Sequence, residues 1–322
     1  MTSAYLAAEG FVDQLREELR RARLVVSRQH ERLLVCDGDA IEAAWAANIW
    51  HDCLSLPVRS IGAAAQSLRA IQRNWTMYAP LHHRRASLIQ ERLPHVSARP
   101  VDFPSAAPSA PLGSWTLLAP DLVLAAPRCS SPFPNGEIAF VEDKVGPPNR
   151  AYLKLWEALV RLGRWPRPGE RCLDLGASPG GWTWALAKLG AEVLAVDKAT
   201  LDPKVTAMPG VTWRGESAFA LEPESVGHVD WLFSDVVCYP ARLLRLVEKW
   251  RASGFVGTFV CTIKFQGATD HDAAAAFAAI PGAKLCHLHH NKHELTFMWS
   301  AATHAPVREE VRAPVSAASR VP

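Results

Sequence analysis

Residues 171–197, RCLDLGASPGGWTWALAKLGAEVLAVD, decide the fold. The stretch opens on a short apolar run at 172–175 and passes through the small-residue turn Gly176-Ala177-Ser178-Pro179-Gly180-Gly181. It then enters a helical pattern and ends on a second apolar run at 193–196, closed by Asp197. Short apolar runs bounded by glycine and joined by a helix make a β-turn-α-β unit, with a turn where ligand can approach backbone. A carboxylate about 20 residues past the turn has the spacing that grips a ribose hydroxyl. The stretch therefore predicts a nucleoside-bearing cofactor.

The turn narrows the choice. A nicotinamide dinucleotide calls for G-x-G-x-x-G, whose middle glycine lets the backbone reach a pyrophosphate. Here Ser178 stands at that place and Pro179 stiffens the loop. S-adenosylmethionine has no pyrophosphate, so Gly176, Ser178, Pro179, Gly180 and Gly181 suit it better, with Asp197 on the ribose. Trp182 lies close enough to shape the pocket, whereas Trp184 reads as core. Glu216 or Ser217, after the third strand, could meet the adenine. The plainer reading, a tight strand-to-helix turn and nothing more, leaves the flanking acid unexplained.

Outward from this unit, strands are predicted at 211–213, 229–234, 258–263, 284–289 and 295–299, with helices at 151–162, 241–250 and 270–280. Alternating units imply a largely parallel sheet covered on both faces. The last two strands, separated by a short polar segment, should form an antiparallel hairpin. The fold class is α/β, a Rossmann-like doubly wound sheet with a terminal antiparallel hairpin, preceded by a small α+β N-terminal domain. That domain spans 1–93, with a helix at 11–22, strands at 24–26 and 33–36 around a polar turn at 27–31, and a second helical pattern from Ile41. Residues 94–146 read as a proline-rich linker with short strands at 115–118, 122–125 and 138–141. The catalytic domain covers 147–304, and 305–322 is a mobile tail. Arg69, Arg73, His82, His83, Arg84, Arg85 and Arg92 form either a solvated face or a phosphate-tracking patch, with Trp75 and Tyr78 interleaved as stacking surfaces.

Four charged residues stand at element ends: Lys154 on the helix before the opening strand, Asp235 ending the fourth strand, Lys264 ending the fifth, and Glu294 opening the last. Carboxyl ends of parallel strands face the ligand crevice, so Asp235 and Lys264 point where Ser178 and Asp197 do. An antiparallel last strand begins at that same edge. In order and context these four resemble the K-D-K-E tetrad of the FtsJ/RrmJ-type RNA 2′-O-ribose methyltransferases. The turn L-D-L-G-x-x-P-G-G-W resembles that family's cofactor loop. The likeness is greatest to the RlmM branch, which modifies a cytidine ribose of large-subunit (23S) ribosomal RNA. It is carried by P-x-x-R-x-x-L-K-L from Pro147, D-L-G-A-x-P-G-G-W-T from Asp174, V-T-W from Val211, D-x-V-x-x-P from Asp235 and the L-x-H-N-K-x-E-L-T-like run from Leu288. It spans roughly 147–299, while the front of the chain is only loosely similar to that branch's ferredoxin-like and THUMP domains. Two positions depart from the branch: Ser217, beside Glu216, replaces an aspartate, and Ala151 replaces a serine after Arg150.

The resemblance implies S-adenosylmethionine as cofactor, RNA (large-subunit ribosomal RNA or its precursor particle) as partner, Lys264 as base, and Asp235 as its orienting group. It also implies Lys154 and Glu294 on the ribose and its phosphate, Asp235 bordering the cofactor, and Arg150 toward substrate. Composition permits this without requiring it. The 322 residues are 49% apolar and 21% charged with net charge +3, and seven scattered cysteines form no C-x-x-C pair. That favours a reducing cytoplasm over a zinc framework. No run is apolar enough for a membrane span, and the N-terminus turns acidic too early for a secretory signal. Cys286, His287, His289, His290 and His293 crowd one hairpin without a carboxylate trio, so no metal is expected. Ser178 is not in a G-x-S-x-G elbow. The rival readings are a methyltransferase for a non-RNA substrate and a catalytically silent RNA-binding homologue.

Overall fold

The computed structural model describes residues 1–301; the tail expected at 305–322 lies outside them. Three sheets organise the chain. The first elements are β1 (Thr2–Ala7), α1 (Val12–Arg21), β2 (Val25–His30), β3 (Leu33–Asp37) and β4 (Ala46–His51). With β9 (Arg128–Cys129) they form an antiparallel sheet ordered β2-β3-β1-β4-β9. The first four strands follow a ferredoxin-like order, but a loop at 38–45 stands where a second helix was expected from Ile41. The cause is tertiary: the Glu18 carboxylate accepts from the backbone N–H groups of Ala44 (2.7 Å) and Trp45 (3.0 Å), and Trp45 is buried. Helix propensity is a weak prior against such contacts. The turn expected at 27–31 is likewise displaced, because β2 runs on to His30 and reverses at Glu31, whose φ is +50°.

A second sheet joins β5 (Leu54–Pro57), β6 (Trp75–Met77), β7 (Gly113–Ala119) and β8 (Leu122–Ala126) in the order β5-β8-β7-β6. Helices α2 (Ile61–Ile71) and α3 (His83–Gln90) complete this unit. Segment 94–146 is thus more than a linker, because two of its strands pair with strands from 54–57 and 75–77. The strand expected at 138–141 is reduced to one isolated bridge, Val101 with Phe140. Trp75 and Tyr78 do not offer stacking faces. Both are buried, Trp75 donating to the Leu68 carbonyl and Tyr78 accepting from Arg32 N–H. Large aromatics gain most by covering a core, and these do.

The third sheet carries the site. After α4 (Tyr152–Leu162) come β10 (Arg171–Leu175), α5 (Gly181–Lys188), β11 (Glu192–Val196), α6 (Pro203–Thr206), β12 (Val211–Arg214), α7 (Pro223–Val226) and β13 (Val229–Ser234). The remainder is α8 (Pro240–Ser253), β14 (Val256–Lys264), α9 (His271–Ala278), β15 (Lys284–Cys286) and β16 (Glu294–Ser300). The order is β12-β11-β10-β13-β14-β16-β15, parallel except for β16. The last strand inserts between β14 and β15, which sets Lys264 directly opposite Glu294. Strand β15 stops at Cys286, short of the expected 289, because the His287 N–H turns to the Ala44 carbonyl (2.6 Å). No helix among the described residues is long and apolar enough to cross a membrane.

Candidate active site

The glycine turn sits where β10 ends, as strand-to-helix geometry requires. Gly176 has φ +79°, and a Cβ there would lie 2.7 Å from Val236 Cα, so only glycine fits without moving backbone. A Cβ on Gly181 would collide with the Asn149 amide oxygen, which accepts from Ala151 N–H at the start of α4. Asp197 is held by two backbone donors, Ser178 N–H (3.1 Å) and Ala199 N–H (3.0 Å), and so ties the tip of β11 to the turn. Ser178 Oγ donates to the Thr200 carbonyl. Trp182 is buried and donates to the Ala151 carbonyl, which locks the turn's helix to α4; Trp184 packs edge-on against Tyr152 in the core. Ser217 Oγ faces its own loop, accepting from Phe219 N–H, and Glu216 pairs with Arg214.

Asp174 is a residue that sequence reasoning passed over. It is fully buried in β10 immediately before the turn, and Thr183 Oγ1 donates to its Oδ2 at 2.6 Å. Its Oδ1 has no hydrogen-bond partner among the described residues. Burial, with smaller contributions from Asp235 and Asp197, pushes its carboxyl up to about 7. A buried acceptor without a donor is costly unless a ligand supplies one. With the open turn, it fits a cofactor bearing an ammonium or amide donor. The available signal was an acid inside an apolar strand run, a residue type almost never fully buried without purpose.

The four charged residues converge. Lys154 Nζ lies 3.0 Å from Asp235 Oδ1 and 2.9 Å from Glu294 Oε1. Lys264 Nζ lies 3.2 Å from the same Asp235 oxygen and donates to the Asp235 carbonyl at 2.6 Å. Burial pulls the Lys154 ammonium down, but Asp235 and Glu294 outweigh it and hold its pKa above the usual lysine value. Arg150, at the head of the same helix, is exposed and makes a bidentate pair with Glu142.

Two supports of this group were not legible in the sequence. Glu157, one turn beyond Lys154 on α4, is fully buried and accepts from His289 N–H, His290 N–H and His290 Nδ1, with Arg161 2.8 Å away. Burial acts against its ionised form, yet Arg161 and His290 bring its carboxyl down to about 2. It thereby fixes the loop that delivers Glu294. The second support comes from loops of the N-terminal unit. Phe11 stacks on His293 (5.7 Å between centroids), and Trp45 packs against Phe265, His287 and His293 at 5.4–6.0 Å. Phe265 follows Lys264 and His293 precedes Glu294, so the N-terminal unit braces two of the four charged residues. The histidines are engaged in this seam: His287 Nε2 with the Lys292 carbonyl, His293 Nε2 with Thr269 Oγ1. No group of three or more metal-ligating side chains is gathered among the described residues.

Two buried groups set opposing pH slopes on stability. Asp174 rises from 3.8 to about 7, so the folded chain gains stability as pH falls from 7 toward 4. His287, depressed mainly by burial from 6.5 to about 4, makes the folded chain lose stability as pH falls through that window. Between pH 7 and 5 each amounts to about 2 kcal/mol, with opposite sign. Relative to wild type, Asp174→Asn should lower Tm on going from pH 7 to 5, and His287→Gln should raise it. Parallel Tm profiles for all three cofactor-free proteins would contradict this assignment.

A glycine turn and a ribose-spaced acid thus lie at one edge of a Rossmann-like sheet, with a Lys-Asp-Lys-Glu group beside them. Residues 147–272 match the family described as FtsJ-like methyltransferase. The chain is also similar to curated proteins named ribosomal RNA large subunit methyltransferase M. With that of Halorhodospira halophila it shares 45% identity over 106 residues, 32% of this chain and 31% of the relative. With that of Alkalilimnicola ehrlichii it shares 34% over 169 residues, 48% of this chain and 46% of the relative. The protein of Methylococcus capsulatus is 39% identical over 132 residues, 40% of this chain and 37% of the relative. The matches span less than half the length of these relatives.

Proposed function

We propose that the protein transfers a methyl group from S-adenosylmethionine to a ribose 2′-hydroxyl of RNA, at a cytidine of large-subunit ribosomal RNA or its precursor particle, in the cytoplasm. The observation that carries this reading is the single Asp235 carboxylate oxygen shared by Lys154 and Lys264, with Glu294 closing the group. The names of the relatives support the choice of RNA.

When bound, S-adenosylmethionine supplies an electrophilic methyl sulfonium. Gly176, Ser178, Pro179, Gly180, Gly181 and Trp182 would hold it, with Asp197 on the ribose, Ser217 toward the adenine and Asp235 at its edge. A ribose hydroxyl is a weak nucleophile, so the protein's work is to place it and take its proton. Lys264 Nζ, in its neutral form, would accept the proton of the 2′-hydroxyl and then release it to solvent. Asp235 orients Lys264 through both its carbonyl and its carboxylate. Lys154, pinned between two carboxylates, stays charged and holds the ribose and its phosphate together with Glu294. Arg150 offers its exposed guanidinium to the strand. Exposed Arg69, Arg73, His82, His83, Arg84 and Arg92, with the half-buried Arg85, make the N-terminal region an RNA-positioning, THUMP-like unit.

Incubation with methyl-labelled cofactor and unmodified ribosomal RNA, followed by alkaline hydrolysis, tests the reading. A 2′-O-methyl blocks cleavage at its nucleotide, so label is expected in alkali-resistant dinucleotides. Label recovered wholly in mononucleotides would mean base methylation and would overturn it.

A further inference from the structure

Beside the tetrad lies a strip of surface that the reaction does not use. The loop that leaves β13 at Asp235 enters α8 at Pro240, and on it Val237 and Tyr239 are 72% and 68% exposed. A lone exposed aromatic is ordinary, but this one adjoins a basic cleft. The cleft, about 260 Å³, lies between α8 and the loop after β12, and is lined by Ala218, Phe219, Arg242, Arg245, Lys249 and Trp250.

The charges in the cleft are not balanced. Lys249 is satisfied, 2.6 Å from Glu222 and donating to the Leu221 carbonyl. Arg242 and Arg245 have no carboxylate partner among the described residues. The Arg242 guanidinium carbon sits 3.8 Å from the centre of the Phe219 ring, which holds the group flat and leaves its N–H edge for an acceptor. Arg242 and Arg245 are three residues apart on one helix, hence neighbours on one face. The cleft also borders the tetrad. The Cys238 thiol, pushed up by its burial, is drawn back by the charges of both Arg242 and Lys264.

We infer that this strip, Tyr239 with Arg242 and Arg245, seats the single-stranded RNA next to the methylated nucleotide, with a base on the tyrosine and phosphates on the two arginines. The inference rests on the RNA reading above and gives that substrate a path. Two guanidiniums without a carboxylate partner call for anions, and an exposed ring on the loop that joins Asp235 to their helix calls for a planar partner. A single strand offers both, whereas a duplex keeps its bases stacked away from side chains.

The test is binding of a fluorescent single-stranded fragment of large-subunit ribosomal RNA across a salt series. It compares wild type, Tyr239→Ala and the double variant Arg242→Gln/Arg245→Gln. The double variant is expected to weaken Kd at least about tenfold at 0.15 M salt and to flatten the log–log salt slope by about 1.4, at roughly 0.7 per phosphate contact. Tyr239→Ala should weaken Kd about tenfold with the slope kept, as loss of a stacked base does. Cofactor affinity, unchanged in both, shows that the fold is intact. Affinity and slope at wild-type values in both variants would overturn the strip, as would equal losses on duplex RNA. The assay needs no turnover, so the two readings fail separately. Wild type that binds through the strip but leaves no 2′-O-methyl sinks the proposed reaction alone. Wild type that methylates, with variants binding unchanged, sinks the strip alone.

Discussion

Lys264→Ala abolishes methyl transfer to RNA while cofactor affinity stays near wild type. Lys264 stands at the end of β14, and its contacts run to Asp235, so its removal leaves the glycine turn and Asp197 untouched. A positioned general base contributes about 10²–10⁴ in rate, and loss of the lysine also removes a hydrogen-bonding group that places the hydroxyl. The expected signature is therefore a collapse of kcat with the cofactor Kd preserved, read by labelled transfer and by calorimetry. Turnover near wild type in this variant would end the assignment of the tetrad.

Asp235→Asn should be nearly as damaging for a different reason. Its carboxylate is the one counter-charge common to both lysines. Without it Lys154 keeps Glu294, but Lys264 keeps only the backbone carbonyl of residue 235. Removing one partner from a largely buried charge group is costly because the other is left uncompensated. A fall in kcat of about 10³-fold is expected, since both base and orienting group are disturbed. Labelled transfer to ribosomal RNA at saturating cofactor reads the loss. A kcat near wild type would assign Asp235 to packing.

Much of this centre could be read from residues alone, and the reason is local. Gly176–Gly181 is a contiguous turn between two apolar runs, and Lys154, Asp235, Lys264 and Glu294 sit at ends of elements whose periodicity is strong. Parallel sheet geometry then brings those ends to one edge. What was hidden depends on contacts between distant segments. Residues from Ile41 have the composition of a helix, but two hydrogen bonds from Glu18 decide otherwise. Trp75 and Tyr78 lie amid cations, yet they fill cores under β7 and β8. Pairing of β5 with β8 joins residues far apart in sequence, which periodicity does not encode. Asp174 was visible as an acid in an apolar strand, but only burial and an unpartnered oxygen mark it out. The aromatic seam of Phe11 and Trp45 shows a further consequence: the unit expected only to position RNA also braces Lys264 and Glu294.

The chemical identity of its product defines the reaction. Large-subunit ribosomal RNA lacking the modification, incubated with wild-type protein and S-adenosylmethionine and digested to nucleosides, should yield 2′-O-methylcytidine by mass spectrometry, and none with Lys264→Ala. A base-methylated nucleoside, or unmodified RNA from a protein that binds the cofactor, would contradict ribose methylation.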